Sequence, residues 1–391
     1  MAGAVPILQG YNLAVLSAMS ESNPTSNEAT TAETVPIRPT PLAEFLLQKT
    51  PALELRPHQG FLTPSCFDEA DQEAGTALHS AAAFDLGWLA RIAVTGKDRT
   101  RWLAGMTSNA VQTLAEGWGN YNFVLNAQGR IQGDLYAFRD QDRLVLETSA
   151  AQIDRLTQHF DHFIIMDDVD LKTLGDLTAL GIAGPTAAGV LEKLGFDPAQ
   201  LNLLEQRQWV WNEIPLTIVH AYSVLVPRFE LWFAAEHVAA VWAALVENGA
   251  RPCGLDAAET LRIVEGIPAY GTDILDKHLA QETSQTRALS FSKGCYLGQE
   301  IVERIRSRAN IHRALRAFAL DGSTPPTGAE LHSGGKAAGG LTSVAVLTLN
   351  GSTRKFALGM LRMDALGAGS ILEYDGGTAI ALEKPPEIAG D

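Results

Sequence analysis

Tyr121-Asn122-Phe123-Val124-Leu125-Asn126-Ala127-Gln128-Gly129-Arg130-Ile131-Gln132-Gly133-Asp134-Leu135-Tyr136-Ala137-Phe138-Arg139 reads as two alternating strands joined at a turn. Tyr121 to Asn126 and Ile131 to Arg139 show the two-residue period of half-buried strands, and Ala127-Gln128-Gly129-Arg130 carries the hairpin signal. Upstream, Arg91 to Gly96 reads as a strand. Lys97 to Met106 reads as a short helix with Trp102, Leu103 and Met106 turned inward. Downstream, a second hairpin turns at Asp140-Gln141-Asp142, Leu144-Val145-Leu146 continues the sheet, and Ala151 to Phe160 is helical.

The same order recurs. Leu177 to Ala183 is strand-like and Gly184-Pro185-Thr186 starts a helix that runs from Ala187 to Leu194. Ile214 to His220 and Phe229 to Ala234 supply strands, and His237 to Glu247 a helix. Strand, helix and hairpin occurring twice predict an α+β protein with two related portions, about 84–170 and 177–275, around a shared cleft. After Asn310, short apolar runs alternate with Gly and Pro turns, including Pro325-Pro326 and Gly334-Gly335. That texture predicts a C-terminal antiparallel β-barrel over 311–391, following a first domain over 41–310. Residues 1–40 are expected to be a disordered tail, since Ser20 to Thr40 has almost no large apolar side chains. Met19, which opens the polar run, is an alternative translation start, testable by the intact mass of the native protein.

A hydrophobic share of 46% with 19% charged residues describes an ordinary soluble chain, and 391 residues are enough for a large core. The formal net charge of −15 argues against nucleic acid or an anionic membrane as the main partner. No apolar run approaches the roughly 18 residues of a membrane span. Three cysteines, Cys66, Cys253 and Cys295, form no CxxC pair and no disulfide framework, which fits a reducing compartment. Cytoplasm is the expected location. Thr95-Gly96-Lys97-Asp98 lacks the glycine and hydroxyl spacing of a phosphate loop, and no metal site can be named.

Three places carry chemistry. Lys293-Gly294-Cys295-Tyr296-Leu297-Gly298-Gln299-Glu300 sets a thiol two residues after a lysine, between glycines. A nearby ammonium favours the thiolate; a tight turn with a buried cysteine is the alternative. Asp134 follows Gly133 in a packed hairpin strand, where a carboxyl could exchange protons with a bound heterocycle. Glu230 sits inside Arg228-Phe229-Glu230-Leu231-Trp232, and a buried acid needs a partner. An exposed strand face or an internal salt bridge is the alternative for both acids.

Phe84-Asp85-Leu86, Val94-Thr95-Gly96-Lys97-Asp98 and Leu125-Asn126-Ala127-Gln128-Gly129-Arg130 resemble the aminomethyltransferase (T-protein) superfamily. Leu261-Arg262-Ile263-Val264-Glu265-Gly266-Ile267-Pro268-Ala269-Tyr270-Gly271-Thr272-Asp273 fits its R-x-x-x-G-x-P-x-x-G-x-D run. The resemblance covers roughly Pro41 to Pro386. Within it, Lys293 to Glu300 resembles the K-G-C-Y-x-G-Q-E motif of the YgfZ-type branch, folate-binding proteins linked to iron–sulfur assembly or repair. The resemblance implies a T-protein-like fold with a central cleft for tetrahydrofolate or a one-carbon derivative. It also implies Asp134 near the reactive folate nitrogen, Glu230 on the pterin, and further cofactor contacts from Asn126, Arg262 and Gln299. Lys293 and Cys295 would form a thiol site near the cleft, acting with iron–sulfur client or assembly proteins. Two departures stand out: Gly133-Asp134 replaces paired aspartates, and Gly254-Leu255-Asp256-Ala257-Ala258-Glu259 lacks the superfamily's arginine. A folate-dependent aminomethyltransferase or other one-carbon transferase is the second reading. A non-catalytic folate-sensing module is the third.

Overall fold

A computed structural model describes residues 37–308, 311–349, 351–365 and 371–387. Met19 and most of the expected tail lie outside the described residues. Residues 37–40, placed in the tail by composition, are held in structure. Arg38–Pro39 pairs in parallel with Phe61–Leu62. Thr40 caps the helix Pro41–Lys49, its hydroxyl oxygen accepting from Ala43 N at 3.1 Å, with proline at the first helical position.

The quoted hairpin forms as Gly119–Leu125 and Ile131–Arg139. Asn126 Oδ1 accepts from the backbone N–H groups of Gln128 and Arg130, both at 3.0 Å, and Gly129 takes the positive φ of 69° that the turn requires. Leu144–Ser149, Leu89–Thr95 and Asp170–Thr173 complete a five-stranded antiparallel sheet in the order 119–125, 131–139, 144–149, 89–95, 170–173. The helix Arg99–Met106 buries Trp102, Leu103, Ala104 and Met106, as the apolar spacing predicts. The helix Ala150–His162 closes the same face with Leu156 and Phe160.

The second sheet repeats this order. Gln206–Trp211, Ile214–His220 and Arg228–Ala234 form a meander whose third strand pairs with Leu177–Ala183, followed by Ala82–Asp85 and, in parallel, Arg251–Cys253. The helices Ala187–Lys193 and Val238–Glu247 take the places of the two helices in the first half. The two related α+β portions expected from the sequence are therefore visible as matching strand orders.

The halves also exchange their leading strands. Ala82–Asp85 directly precedes the first half's Leu89–Thr95, yet pairs into the second sheet. Asp170–Thr173 directly precedes the second half's Leu177–Ala183, yet pairs into the first sheet. Leu86, Phe138, Val145, Ala179, Val219 and Trp232 pack into one apolar cluster drawn from both halves.

The C-terminal strands Arg313–Gly322, Ser352–Arg362, Lys336–Leu349, Glu330–Ser333, Ile371–Tyr374 and Gly377–Leu382 close into a six-stranded barrel. Gly334 and Gly335 make its tight turn with φ of 55° and 74°. Ala345, Leu347, Phe356 and Leu358 of the barrel share a core with Leu78 and Leu261, so the barrel packs directly on helices of the α+β portion.

Candidate functional site

A cavity lies between the two sheets, with Asp134, Tyr136 and Glu147 on one wall and Gly181, Arg228 and Glu230 on the other. The meander strands bring these groups together because alternate residues of each strand face the same way. The rest of the lining mixes apolar and aromatic side chains such as Leu86, Trp88, Phe138 and Val219 with polar ones such as Gln152, Glu259 and Arg262.

Asp134 accepts from Tyr121 Oη at 2.5 Å on one carboxyl oxygen and from Gln152 Nε2 at 2.8 Å on the other. Burial raises its pKa above the usual carboxylate range, against the pull of those two donors. Gly133 beside it is a steric necessity: a Cβ there would stand 2.8 Å from both Gln152 Oε1 and Leu156 Cδ2. A second aspartate would push Gln152 off Asp134.

Glu230 is buried, and its nitrogen donors are distant: Arg228 Nη2 at 3.3 Å and Trp232 Nε1 at 3.4 Å. The carboxyl of Glu147 lines the same cavity close enough for the charge of Glu230 to act on it. Burial, then the charge of Glu230, raise the Glu147 pKa to about 8, outweighing the Arg91 guanidinium. Arg287 completes the polar wall from behind. Its guanidinium lies over the rings of Tyr222 at 4.0 Å and Tyr121 at 4.2 Å and donates to Tyr136 Oη at 2.7 Å.

Of the site residues named from sequence, Asp134, Glu230 and Arg262 line this cavity, while Asn126, Lys293, Cys295 and Gln299 do not. Arg262 is no free ligand donor. Its Nε and Nη2 bind Glu259 at 3.0 and 2.7 Å, Nη1 binds Ile267 O at 2.8 Å and Asp273 at 2.7 Å, and Nη2 also reaches Ser343 Oγ at 3.2 Å. All five guanidinium hydrogens are taken. Arg262 ties the α+β portion to the barrel.

Asn126 is spent on its own turn. Gln299 opens the helix Gln299–Arg308, which the turn meets closely: a Cβ on Gly298 would stand 2.6 Å from Asn126 O, and one on Gly129 2.7 Å from Ile301 Cβ. Lys293 also differs from its expected role. Its ammonium donates to the carbonyls of Ala104 at 2.7 Å, Thr107 at 2.5 Å and Asn109 at 2.8 Å, capping the C-terminal end of the helix Arg99–Met106. Burial lowers its pKa to about 8. It lies over the Tyr296 ring at 4.8 Å and spends its three hydrogens on the backbone, which leaves none for the Cys295 thiol. Cys295 is exposed, so the buried-turn alternative fails for the thiol itself.

Sequence reasoning passed over Glu147, Gln152, Tyr121 and Arg287. Glu147 carried a usable signal, an acid ending the apolar run Leu144-Val145-Leu146, of the same kind that marked Glu230. Among the described residues no group of three or more His, Cys, Asp or Glu is placed to hold a metal ion. No helix among them is long and apolar enough to cross a membrane.

A glycine cleavage system aminomethyltransferase T from Bartonella henselae superposes with a TM-score of 0.79, covering 88% of this chain and 95% of that one at 19% identity, which shows a shared fold. An aminomethyltransferase of Thermus thermophilus is 27% identical over 73% of this chain and 81% of its own length. A putative chloroplastic transferase of Arabidopsis thaliana is 26% identical over 83% of this chain and 75% of its own. The model of the GCVT N-terminal domain matches residues 49–293, more than half of the 391-residue chain. The chain therefore belongs to the family that carries the GCVT N-terminal domain.

Proposed function

We propose that this protein binds tetrahydrofolate, or a one-carbon derivative of it, in the cavity between the sheets and supports iron–sulfur proteins in the manner of the YgfZ-type branch. The observation that carries the folate reading is Glu230, a buried carboxylate on the cavity wall whose nitrogen donors stand no closer than 3.3 Å. A pterin offers adjacent N–H donors to such an acceptor. Asp134, across the cavity, would face a ring nitrogen and hold or return its proton. The cofactor would supply the one-carbon unit; the chain binds, orients and shields it from water. Cys295, exposed and outside the cavity wall, is accessible to a partner protein. One thiol cannot hold a cluster that needs about four ligands, so its contact with a client would be transient. A cytoplasmic setting remains part of this proposal.

Titration with tetrahydrofolate and its 5-formyl and 5,10-methylene forms tests the binding, and failure of all three overturns it. Cys295→Ala is expected to abolish rescue of iron–sulfur enzyme activity in cells lacking the native factor while leaving folate binding intact. Full rescue would sink the thiol role. Asp134, held by two donors at the wall, favours one-carbon transfer as the second reading; formation of methylene-tetrahydrofolate from an aminomethyl-loaded carrier protein would promote it to first.

A further inference from the structure

The residues lining the cavity hold more acid than base, and the two arginines among them are already matched. Asp134, Glu147, Glu230, Glu259 and Glu265 line it, against Arg228 and Arg262. Arg228 is paired with Glu230, and Arg262 has all five hydrogens engaged by Glu259, Asp273, Ser343 and a carbonyl. His58, the remaining basic group on the wall, sits edge-on to Trp88 at 4.6 Å, and burial lowers its pKa. Arg56 is tied to Asp256 outside the wall. Beside the closed Glu259–Arg262 pair, the helix Leu255–Val264 offers the cavity only Leu255, Ala258 and Leu261.

Resting on the folate reading above, we infer that this cavity draws its affinity from the reduced pterin ring, and that added glutamate carboxylates bring none. An anionic tail against Glu259 would lose hydration and meet a carboxylate whose countercharge is fully used. The ring end, by contrast, gains from the abundance of acceptors. Selectivity here is the difference between those two effects. Glu259 is the residue that sets it: by occupying Arg262 it withdraws the one guanidinium on that helix from the ligand.

Calorimetric titration of the full chain with 6-methyltetrahydropterin, tetrahydrofolate monoglutamate and tetrahydrofolate triglutamate tests this. The three dissociation constants are expected to agree within about fivefold. Triglutamate binding about tenfold or more tighter than monoglutamate, with pterin binding lost, would overturn the inference while leaving the folate reading standing. Absence of binding by all three would remove the folate reading and the inference with it. Ala258→Arg, which adds an unpaired guanidinium to the same wall, is expected to favour the triglutamate by about tenfold; a folded variant with no such preference would also overturn it. If that variant does not fold, the wild-type comparison decides alone.

Discussion

Arg91 Nη2 lies 2.5 Å from Glu147 Oε2, joining a fully buried guanidinium on one strand to a carboxyl directly opposite it on the next. The same guanidinium lies over the Trp232 ring of the other sheet at 4.4 Å. A charge-bearing cluster thus sits on the seam between the halves.

That cluster makes stability depend on pH. Glu147 keeps its proton in the folded protein up to about pH 8, whereas the unfolded chain releases it near the ordinary glutamate value of 4.5. The native state binds more protons in that window, so stability should fall as pH rises from about 4.5 to about 8, with the loss complete above. Glu147→Gln, which can still accept from Arg91 and donate to Glu230, should flatten this dependence in urea unfolding at pH 6 and pH 9. An unchanged slope would show that another group controls it. Glu147→Leu should cost about 3–5 kcal/mol, because Arg91 is left buried without its partner.

Lys293 is expected to matter for folding more than for thiol reactivity. Lys293→Met strands three carbonyls at the end of the helix Arg99–Met106 and should lower stability by about 2–4 kcal/mol in thermal unfolding. Arginine should not rescue it, since a planar fork does not suit three converging acceptors. The reaction rate of Cys295 with a thiol reagent should stay near wild type; a large drop would reinstate the ammonium as the thiol's activator.

Gly133→Asp, which sets a second acid beside Asp134, should do harm. The new Cβ collides with Gln152 and Leu156, so about 1–3 kcal/mol of stability should be lost, and the proposed folate affinity should fall as Gln152 leaves Asp134. Unchanged affinity by calorimetry would mean that Gln152 does not position the acid.

Arg262→Lys replaces five directed hydrogens with three and leaves Asp273, which is fully buried, short of its partner. A loss of about 3–5 kcal/mol is expected by chemical denaturation. A loss below about 1 kcal/mol would contradict the role of Arg262 as the tie to the barrel.

Much of the fold was readable because apolar strands and helices follow one another in the same order in both halves. Ile131–Arg139 lies where the two-residue period puts it, Leu177–Ala183 where its apolar run does, and the helices Arg99–Met106 and Ala187–Lys193 begin within a few residues of their expected starts. The acids of the site were legible by another route, a carboxylate inside an apolar strand, which marked Glu230. Partnerships were not legible. Nothing near Arg262 in sequence announces Ser343, and nothing near Lys293 announces the carbonyl of Ala104, on a helix almost two hundred positions away. Spacing along the chain suggested a lysine serving its neighbouring thiol; the fold gave that lysine to a helix end. The exchange of leading strands was invisible for the same reason, since Ala82–Asp85 and Asp170–Thr173 are too short to advertise their partners.

That exchange has a mechanical outcome. Each half lends the other a strand, and the connectors Leu86–Trp88 and Leu174–Asp176 cross the seam in opposite directions. Two short tethers running both ways prevent the sheets from swinging apart as jaws on a hinge. Any widening of the cavity is therefore left to side chains and loops at its rim. Neither half owns a complete sheet, so a chain cut between them should yield two fragments that regain structure only on mixing.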